Sequence, residues 1–206
     1  MQKQKQKQND CLQRDFRIGV LADTHVPHRL SALPARVFEL LAGSDVILHA
    51  GDLEDPAILA QLAVVAPVHA VRGNLHWQFS TGTHDQDLPL SLTLELGGMT
   101  TWMTHGHLHF ANTVIDRMIH LGKRMTLNAI NRQVIDRLAR ARPAAAKVVI
   151  FGHTHKPCAI ERDGVLYFNP GAVTGAATSK RVLVPPSVGC LTITPEGMVA
   201  HEWRVL

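Results

Sequence analysis

Short apolar runs and longer helical stripes alternate along the first third of the chain. Apolar, β-branched runs at 16–22, 45–50 and 67–73 predict three strands. Two stretches between them, 34–42 and 56–65, carry a helical pattern and open on a proline, which is favoured in the first turn of a helix. This alternation predicts a parallel sheet covered by helices.

The pattern changes in the second half of the chain. Two segments of alternating polarity, LSLTLEL and MTTWMTH, flank Gly97 and Gly98 and predict a hairpin. Two helical patterns follow, broken near Gly122, and we interpret their apolar stripes as core packing. After a buried strand, KVVIFG, come short β-rich segments. We expect a single α/β domain over 16–206, with one mixed sheet or a pair of sheets.

The N-terminal segment MQKQKQKQND is polar and lacks the apolar region of a secretory signal. We expect residues 1–15 to form a disordered tail or to be a cloning remnant. Lys3, Lys5 and Lys7, less Asp10, supply half of the net charge of +4 at pH 7. The remaining charge is weak support for a nucleic-acid partner.

The composition is that of an ordinary globular protein, with 46% hydrophobic and 18% charged residues. No apolar run is long enough to predict a membrane span. Cys11, Cys158 and Cys190 form no CxxC pair and are odd in number, so neither a disulfide framework nor a thiolate zinc site is indicated. A cytoplasmic location is expected.

Each predicted strand is followed by polar residues that can bind a metal ion. The strands end in ADTH, HAGD, RGN, THG and GHTH, and ligands of open α/β sheets bind beyond the carboxyl ends of strands. The candidate ligands are Asp23, His25, Asp52, Asn74, His105, His153 and His155. Each one alone has a simpler explanation as a cap or turn residue. Five strand ends together favour a metal site.

The types of donor narrow the choice of ion. Oxygen and imidazole ligands without thiolate favour divalent Mn, Fe, Co, Ni or Zn over Mg or Ca alone. Seven ligands are too many for one tetrahedral site and enough for two ions that share one carboxylate.

The order of these motifs resembles that of the calcineurin-like metallophosphoesterases, and most closely their small bacterial and archaeal phosphodiesterase branch. The motifs are Asp-x-His (23–25), Gly-Asp (51–52), Gly-Asn (73–74), Thr-His-Gly (104–106) and Gly-His-x-His (152–155). The resemblance extends from about residue 18 to the C-terminus and includes YFNPGAV. It implies a four-layer αββα sandwich with a dinuclear metal centre, and a homo-oligomer.

The same resemblance implies a role for each candidate. The first ion would be held by Asp23, His25, Asp52 and His155, and the second by Asp52, Asn74, His105 and His153. Asp52 would bridge the ions, with manganese expected and Fe, Ni, Co or Zn as alternatives. The implied reaction is phosphodiester hydrolysis of a small phosphate ester by a hydroxide that bridges the two ions, with Asn74 also catalytic.

The sequence departs from the wider superfamily after Asn74. Many members carry a histidine at the next position, where it binds phosphate or protonates the leaving group, and Leu75 can do neither. His76, His107 and His109 are candidates to replace it, of which His76 is our candidate catalytic acid. The competing interpretation, which we favour, is that all three are solvated loop histidines. Ala172 also replaces a serine that is usual in the branch.

Two alternative functions remain open. The stretch 110–147 is rich in basic residues, which fits either a solvated helix surface or, less often, a nuclease that holds a polyanion. These residues are Arg117, Lys123, Arg124, Arg132, Arg137, Arg140, Arg142 and Lys147. The other alternative is a non-catalytic scaffold, because one relative of the family, a retromer subunit, keeps the fold with an eroded site. All seven ligand positions are filled here, which favours an enzyme.

Overall fold

A computed structural model describes residues 14–74, 87–109, 111–112, 114–116, 127–179 and 182–206. In chain order its elements are β1 (Phe16–Leu21), α1 (Ala35–Leu41), β2 (Val46–His49), α2 (Ala57–Leu62), β3 (Val68–Ala70), β4 (Ser91–Leu96), β5 (Met99–Thr104), α3 (Leu127–Ala141), β6 (Val148–Ile150), β7 (Cys158–Arg162), β8 (Val165–Asn169), β9 (Ala176–Ser179), β10 (Val182–Val184), β11 (Ser187–Ile193) and β12 (Val199–Val205).

Ten of these strands form two mixed sheets. The first has the order β12-β11-β1-β2-β3, in which β1, β2 and β3 are parallel and β11 and β12 are antiparallel to their neighbours. The second has the order β4-β5-β6-β8-β7, with β5, β6 and β8 parallel and an antiparallel strand at each edge. Strands β9 and β10 pair as a separate hairpin. The predicted hairpin is β4 and β5.

Three apolar clusters define the layers. Ile18, Leu48 and Phe168 belong to a cluster shared by strands of both sheets, so the sheets pack face to face. The second cluster joins α1 and α2 to the outer face of the first sheet, and the third joins α3 to the outer face of the second. The arrangement is the predicted four-layer αββα sandwich, and burial of these apolar side chains stabilises it.

The helices are shorter than the sequence pattern predicts. The first begins one residue after Pro34, and the second begins one residue after Pro56 and ends at Leu62, where residues 63–65 form turns. The third parallel strand is also short. It ends at Ala70, so that residues 71–74 leave the sheet and carry Asn74 towards Asp52.

The predicted tail lies mostly outside the described residues. Arg14 is described, and it donates hydrogen bonds to both carboxylate oxygens of Asp45, at 2.5 and 3.1 Å. The first helical pattern after β5 is described only in part, as helical residues 111–112 and 114–116. Across the described parts of the chain, no helix has the length and apolar character needed to cross a membrane.

Candidate metal centre

Loops that follow five strands meet at one edge of the sandwich. Strands β1, β2 and β3 of the first sheet and β5 and β6 of the second each lead into a loop that carries candidate ligands. Backbone hydrogen bonds tie the loops together, from Asp23 N to Gly51 O at 3.0 Å and from Gly152 N to His105 O at 3.1 Å. The structure therefore brings all seven predicted side chains to one site.

Five of the seven candidates have a left-handed backbone. They are Asp23 (φ 54°), His25 (φ 49°), Asp52 (φ 57°), His153 (φ 70°) and His155 (φ 56°). Residues other than glycine adopt this conformation rarely, although Asp, Asn and His do so more readily than most. Such strain gathers at functional sites, where the surrounding structure enforces it. Here the five residues follow three of the strands, β1, β2 and β6.

Two glycines allow the loops to approach so closely. A Cβ atom on Gly73 would overlap the carboxylate Oδ1 and the backbone nitrogen of Asp52. A Cβ on Gly152 would lie 2.9 Å from Ala22 Cβ and 3.0 Å from Asp23 Oδ2. The glycines of the GN and GH motifs are thus needed because their loops lie in direct contact with the loops of Asp52 and Asp23. The motifs alone do not give this reason for the two glycines.

The two aspartates lie at the floor of the site. Asp23 is fully buried, and neither of its carboxylate oxygens accepts a hydrogen bond of regular geometry. His155 Nε2 lies 3.2 Å from Asp23 Oδ1, and His105 Nε2 lies 3.9 Å from the same oxygen. Asp52 accepts a 2.7 Å bond from the Asn74 backbone N–H at Oδ1, while Oδ2 lies 3.4 Å from His105 Nε2 and 3.9 Å from His25 Nε2.

The charges of these groups depend on one another. Burial alone would raise the pKa of both carboxyls, but the charge of His155 lowers the pKa of Asp23, and that of His105 lowers the pKa of Asp52. Burial would conversely lower the pKa of His105, yet the charge and hydrogen bond of Asp52 raise it to about 9. Two buried carboxylates thus need positive charge beside them, which protons or metal ions can supply.

All four candidate histidines have one ring nitrogen held from behind. The contacts are His25 Nδ1 to Glu54 Oε1 (2.9 Å), His105 Nδ1 to Ala50 O (2.7 Å), His155 Nδ1 to Gly175 O (3.0 Å) and His153 Nε2 to Asp116 Oδ2 (3.1 Å). Carbonyl and carboxylate oxygens only accept hydrogen bonds, so the proton lies on this outer nitrogen. The inner nitrogen faces the centre and can bind a metal ion once it has released any proton of its own, which is the arrangement typical of metal-binding histidines.

Asn74 joins the two histidines that come from the second sheet. Its Oδ1 lies 2.9 Å from His105 Nε2 and 3.3 Å from His153 Nδ1. Asn74 Oδ1 therefore lies within 3.3 Å of the inner nitrogens of both His105 and His153.

Two groups of ligand atoms have the dimensions of a metal site. Asp23, His25 and His155 form one, and Asp23, Asp52 and His105 form the other, with the ligand atoms of each group within 4.8 Å of one another. Asp23 belongs to both groups, whereas the sequence analysis predicts Asp52 as the shared carboxylate. The donor set and the unsatisfied Asp23 carboxylate fit divalent ions.

Three supporting residues are not predicted by the sequence motifs. Glu54 is buried and contacts both His25 and the Nδ1 atom of His28. His49 is also buried, which lowers its pKa to about 4, and its Nδ1 accepts a 3.2 Å bond from Gly51 N–H. Asp116 lies behind His153. No motif marks Glu54 or Asp116, and the sequence pattern places His49 only at the end of a strand.

The loop histidines behave differently from one another. His107 is buried, and its ring centroid lies 5.6 Å from that of His105, so its interpretation as a solvated residue is wrong. His109 is exposed, as that interpretation expects. Leu75 and the candidate acid His76 lie outside the described residues.

The basic stretch is partly used inside the protein. Arg137 pairs with Asp116 at 2.6 Å, and Arg142 donates to the backbone carbonyls of Pro143 and Ala144. Arg132, Arg140 and Lys147 are exposed, while Arg117, Lys123 and Arg124 lie outside the described residues. The described part of the stretch offers fewer cationic groups to a polyanion than the sequence suggests.

Comparison with known proteins agrees with the fold. The calcineurin-like phosphoesterase superfamily domain matches residues 16–194. A "probable metallophosphoesterase" of Methanothermobacter thermautotrophicus is 32% identical over 187 residues, which cover 91% of each chain. A mutant of Vps29 from Entamoeba histolytica has a TM-score of 0.58 at 27% identity, covering 93% of this chain and 99% of that one. A structure described as a novel archaeal phosphodiesterase has a TM-score of 0.59 at 21% identity, over 92% and 100% of the two chains.

Proposed function

The chain belongs to the calcineurin-like phosphoesterase superfamily, and from this premise we propose that it is a phosphodiesterase that uses two divalent transition-metal ions, with manganese as the first candidate. One observation carries the proposal. Four imidazoles, each held by an acceptor at its outer nitrogen, direct the other nitrogen towards two buried carboxylates and an amide oxygen. This donor set suits a pair of such ions.

We assign the ligands as the motif order indicates. Asp23, His25 and His155 would hold the first ion, and Asn74, His105 and His153 the second, with Asp52 shared. The position of Asp52 Oδ2, 3.4 Å from His105 Nε2 and 3.9 Å from His25 Nε2, supports the sharing. When bound, the ions supply Lewis acidity, which activates water and neutralises the charge of a phosphate ester.

The protein residues bind and orient the substrate around these ions. The side chains of Asp23 and His105 are fully buried, whereas those of His153 and His155 are 12% and 15% exposed, so the phosphate would enter from the side of the GHTH loop. The Asn74 Oδ1 atom lies beside His105 Nε2, at the position that we assign to the second ion. The amide N–H groups of Asn74 are donors suited to a phosphate oxygen, which supports the catalytic role predicted for it.

The test is a set of three isosteric substitutions in the manganese-reconstituted protein. Asp52→Asn should lower turnover of bis(4-nitrophenyl) phosphate by about 100-fold or more and release at least one equivalent of metal. Asp23→Asn should release only the first ion. Asp55→Asn is the control, because Asp55 is exposed and an asparagine can still accept the bond from Ala57 N–H. Two full equivalents and normal turnover in Asp52→Asn would contradict the assignment.

A scaffold is the second candidate function, and the likeness to Vps29 of Entamoeba histolytica favours it. Turnover decides between the two. If the protein binds two metal ions but hydrolyses none of a panel of mono- and diesters, including cyclic nucleotides and dinucleotides, the scaffold is the better explanation. Cleavage of single-stranded DNA or RNA, with binding that weakens steeply as salt rises, would instead indicate a nuclease.

A further inference from the structure

A polar cluster lies behind the second metal position, on the side of α3. We propose that Asp116 and Arg137 are positioning residues for the second ion, which orient His153 and the loop of His105 together. This inference rests on the proposed function, because it concerns the same metal centre.

Asp116 is the centre of this cluster. Its Oδ2 accepts hydrogen bonds from His153 Nε2 at 3.1 Å and from Arg137 Nη1 at 3.0 Å. Its Oδ1 accepts from Arg137 Nη2 at 2.6 Å and from Gln133 Nε2 at 3.2 Å. Four donors thus fix a carboxylate that is only 7% exposed, and the carboxylate in turn fixes the ring of His153.

The bond from His153 also determines which of its nitrogens can bind a metal. Since Asp116 can only accept, Nε2 carries the proton and Nδ1 keeps the lone pair. That Nδ1 atom lies 3.3 Å from Asn74 Oδ1, at the second position. A carboxylate behind a histidine also makes the histidine a stronger metal ligand.

Arg137 extends the same control to the other histidine. Besides pairing with Asp116, its Nη1 donates a 3.0 Å bond to the carbonyl oxygen of Gly106, the residue after His105. The guanidinium therefore contacts the loop of His105 directly and reaches His153 through Asp116. Val134 and Leu138 on the same helix are fully buried against the second sheet, which holds the guanidinium on a rigid element.

The charge of Asp116 is balanced within the cluster. Its carboxylate forms an ion pair with Arg137 at 2.6 Å, so it does not require a metal ion of its own.

The first position has different supports. His25 is held by Glu54, and His155 by the carbonyl oxygen of Gly175. Neither contact comes from α3 or from Asp116. Substitutions in the cluster should therefore weaken binding of the second ion and leave binding of the first ion unchanged.

The test measures metal binding directly, without turnover. Metal-free full-length protein is titrated with Co²⁺, followed by calorimetry and by the visible absorption of each bound ion. In Asp116→Ala, the second equivalent should bind about 10- to 100-fold more weakly, and its absorption band should change, while the first equivalent is unaltered. Asp116→Asn can still accept a bond from His153, so it should recover part of the lost affinity. It also provides the test should the alanine variant fail to fold.

The matched control is Asp136→Ala. Asp136 is an exposed carboxylate on the same helix, paired with Arg162 at 2.6 Å and without any contact to the candidate ligands among the described hydrogen bonds. The Asp136→Ala variant should bind both equivalents of metal with the affinity of the parent protein. The inference is wrong if Asp116→Ala also binds both normally, or if Asp116→Ala and Asp136→Ala weaken both ions alike. A parent protein that binds no second ion would overturn the dinuclear proposal as well, so the two failures are distinguishable.

Discussion

At the scale of single residues, His105 links metal binding to pH. Its ring is fully buried, and its inner nitrogen faces Asp52 at 3.4 Å. Burial opposes protonation, but Asp52 raises the pKa to about 9 from 6.5, so the metal-free protein carries a proton there at neutral pH. An incoming ion must displace that proton.

This predicts opposite pH trends for metal affinity and for the stability of the metal-free protein. Between pH 6.5 and 9, the affinity for the ion that His105 binds should rise about tenfold per pH unit, because binding of the ion displaces one proton. The contribution of His105 to the free energy of unfolding without metal should be fully present below pH 6.5, where His105 is protonated in both states, and should be lost as pH rises through 9. Titration calorimetry measures the metal affinity at each pH. Chemical denaturation in the presence of a chelator measures the free energy of unfolding of the metal-free protein. Affinity that is constant over this range would show that no proton is displaced.

The candidate ligands that the structure brings together could be identified from the sequence, but the residues that support them could not. Metal binding restricts the inner positions to a few side chains, and Asp23, Asn74 and His155 stand out after strands for that reason. The outer N–H of a histidine can donate a hydrogen bond to any carbonyl or carboxylate oxygen. A backbone carbonyl serves for His105 and a distant carboxylate for His153, so sequence spacing holds no signal for these contacts.

At the scale of elements, the centre depends on how closely β3 and its loop approach the loop after β2. The backbone at Gly73 lies against both the side chain and the backbone of Asp52, and there is no room for a Cβ atom. Asn74 N–H then bonds to Asp52 Oδ1 at 2.7 Å. The loop after β3 therefore orients the carboxylate that we assign to both ions.

Gly73→Ala should separate these two loops. Because the neighbouring atoms include backbone, the chain must shift, and we expect a loss of about 1–3 kcal/mol in the free energy of unfolding together with weaker binding of both ions. Gly164→Ala is the control, since no atom lies within 4 Å of its Cβ position. It should lose about 1 kcal/mol through its left-handed backbone and bind metal normally. Chemical denaturation and metal analysis check both variants, and normal metal content in Gly73→Ala would refute the argument.

The strands were easier to predict than the way they assemble. Runs such as 16–22 and 45–50 have the β-branched composition of buried strands, and both formed strands within one or two residues of the prediction. The neighbour of β1 on its other side is β11, whose residues come almost at the end of the chain. Pairing between such distant segments leaves no local pattern in the sequence. The strand pattern alone therefore does not distinguish one mixed sheet from two sheets.

At the scale of the whole molecule, each assigned ion takes ligands from both sheets. Asp23, His25 and Asp52 follow strands of the first sheet, and His155 follows β6 of the second. The second ion likewise joins Asp52 and Asn74 to His105 and His153. Bound metal would therefore cross-link the two halves of the sandwich.

Metal should consequently stabilise the fold against heat. A free ion concentration of 100 times Kd adds about 2.7 kcal/mol for a site that exists only in the folded state. Scanning calorimetry in manganese and in chelator should show a higher Tm with metal, and the difference should shrink in Asp52→Asn. If Asp52→Asn gains as much as the parent, the ions bind elsewhere.

The left-handed backbone at five of the candidate ligands has a consequence for the evolution of this chain. Asparagine, aspartate, histidine and glycine enter that conformation at low cost, whereas β-branched residues are strained in it. A lineage released from selection for metal binding would therefore drift at these five positions towards asparagine or glycine and not towards valine or isoleucine. The loops at the metal centre would keep their polar residues and their left-handed turns after the activity was lost. An inactive descendant would therefore still have the loop structure of an enzyme.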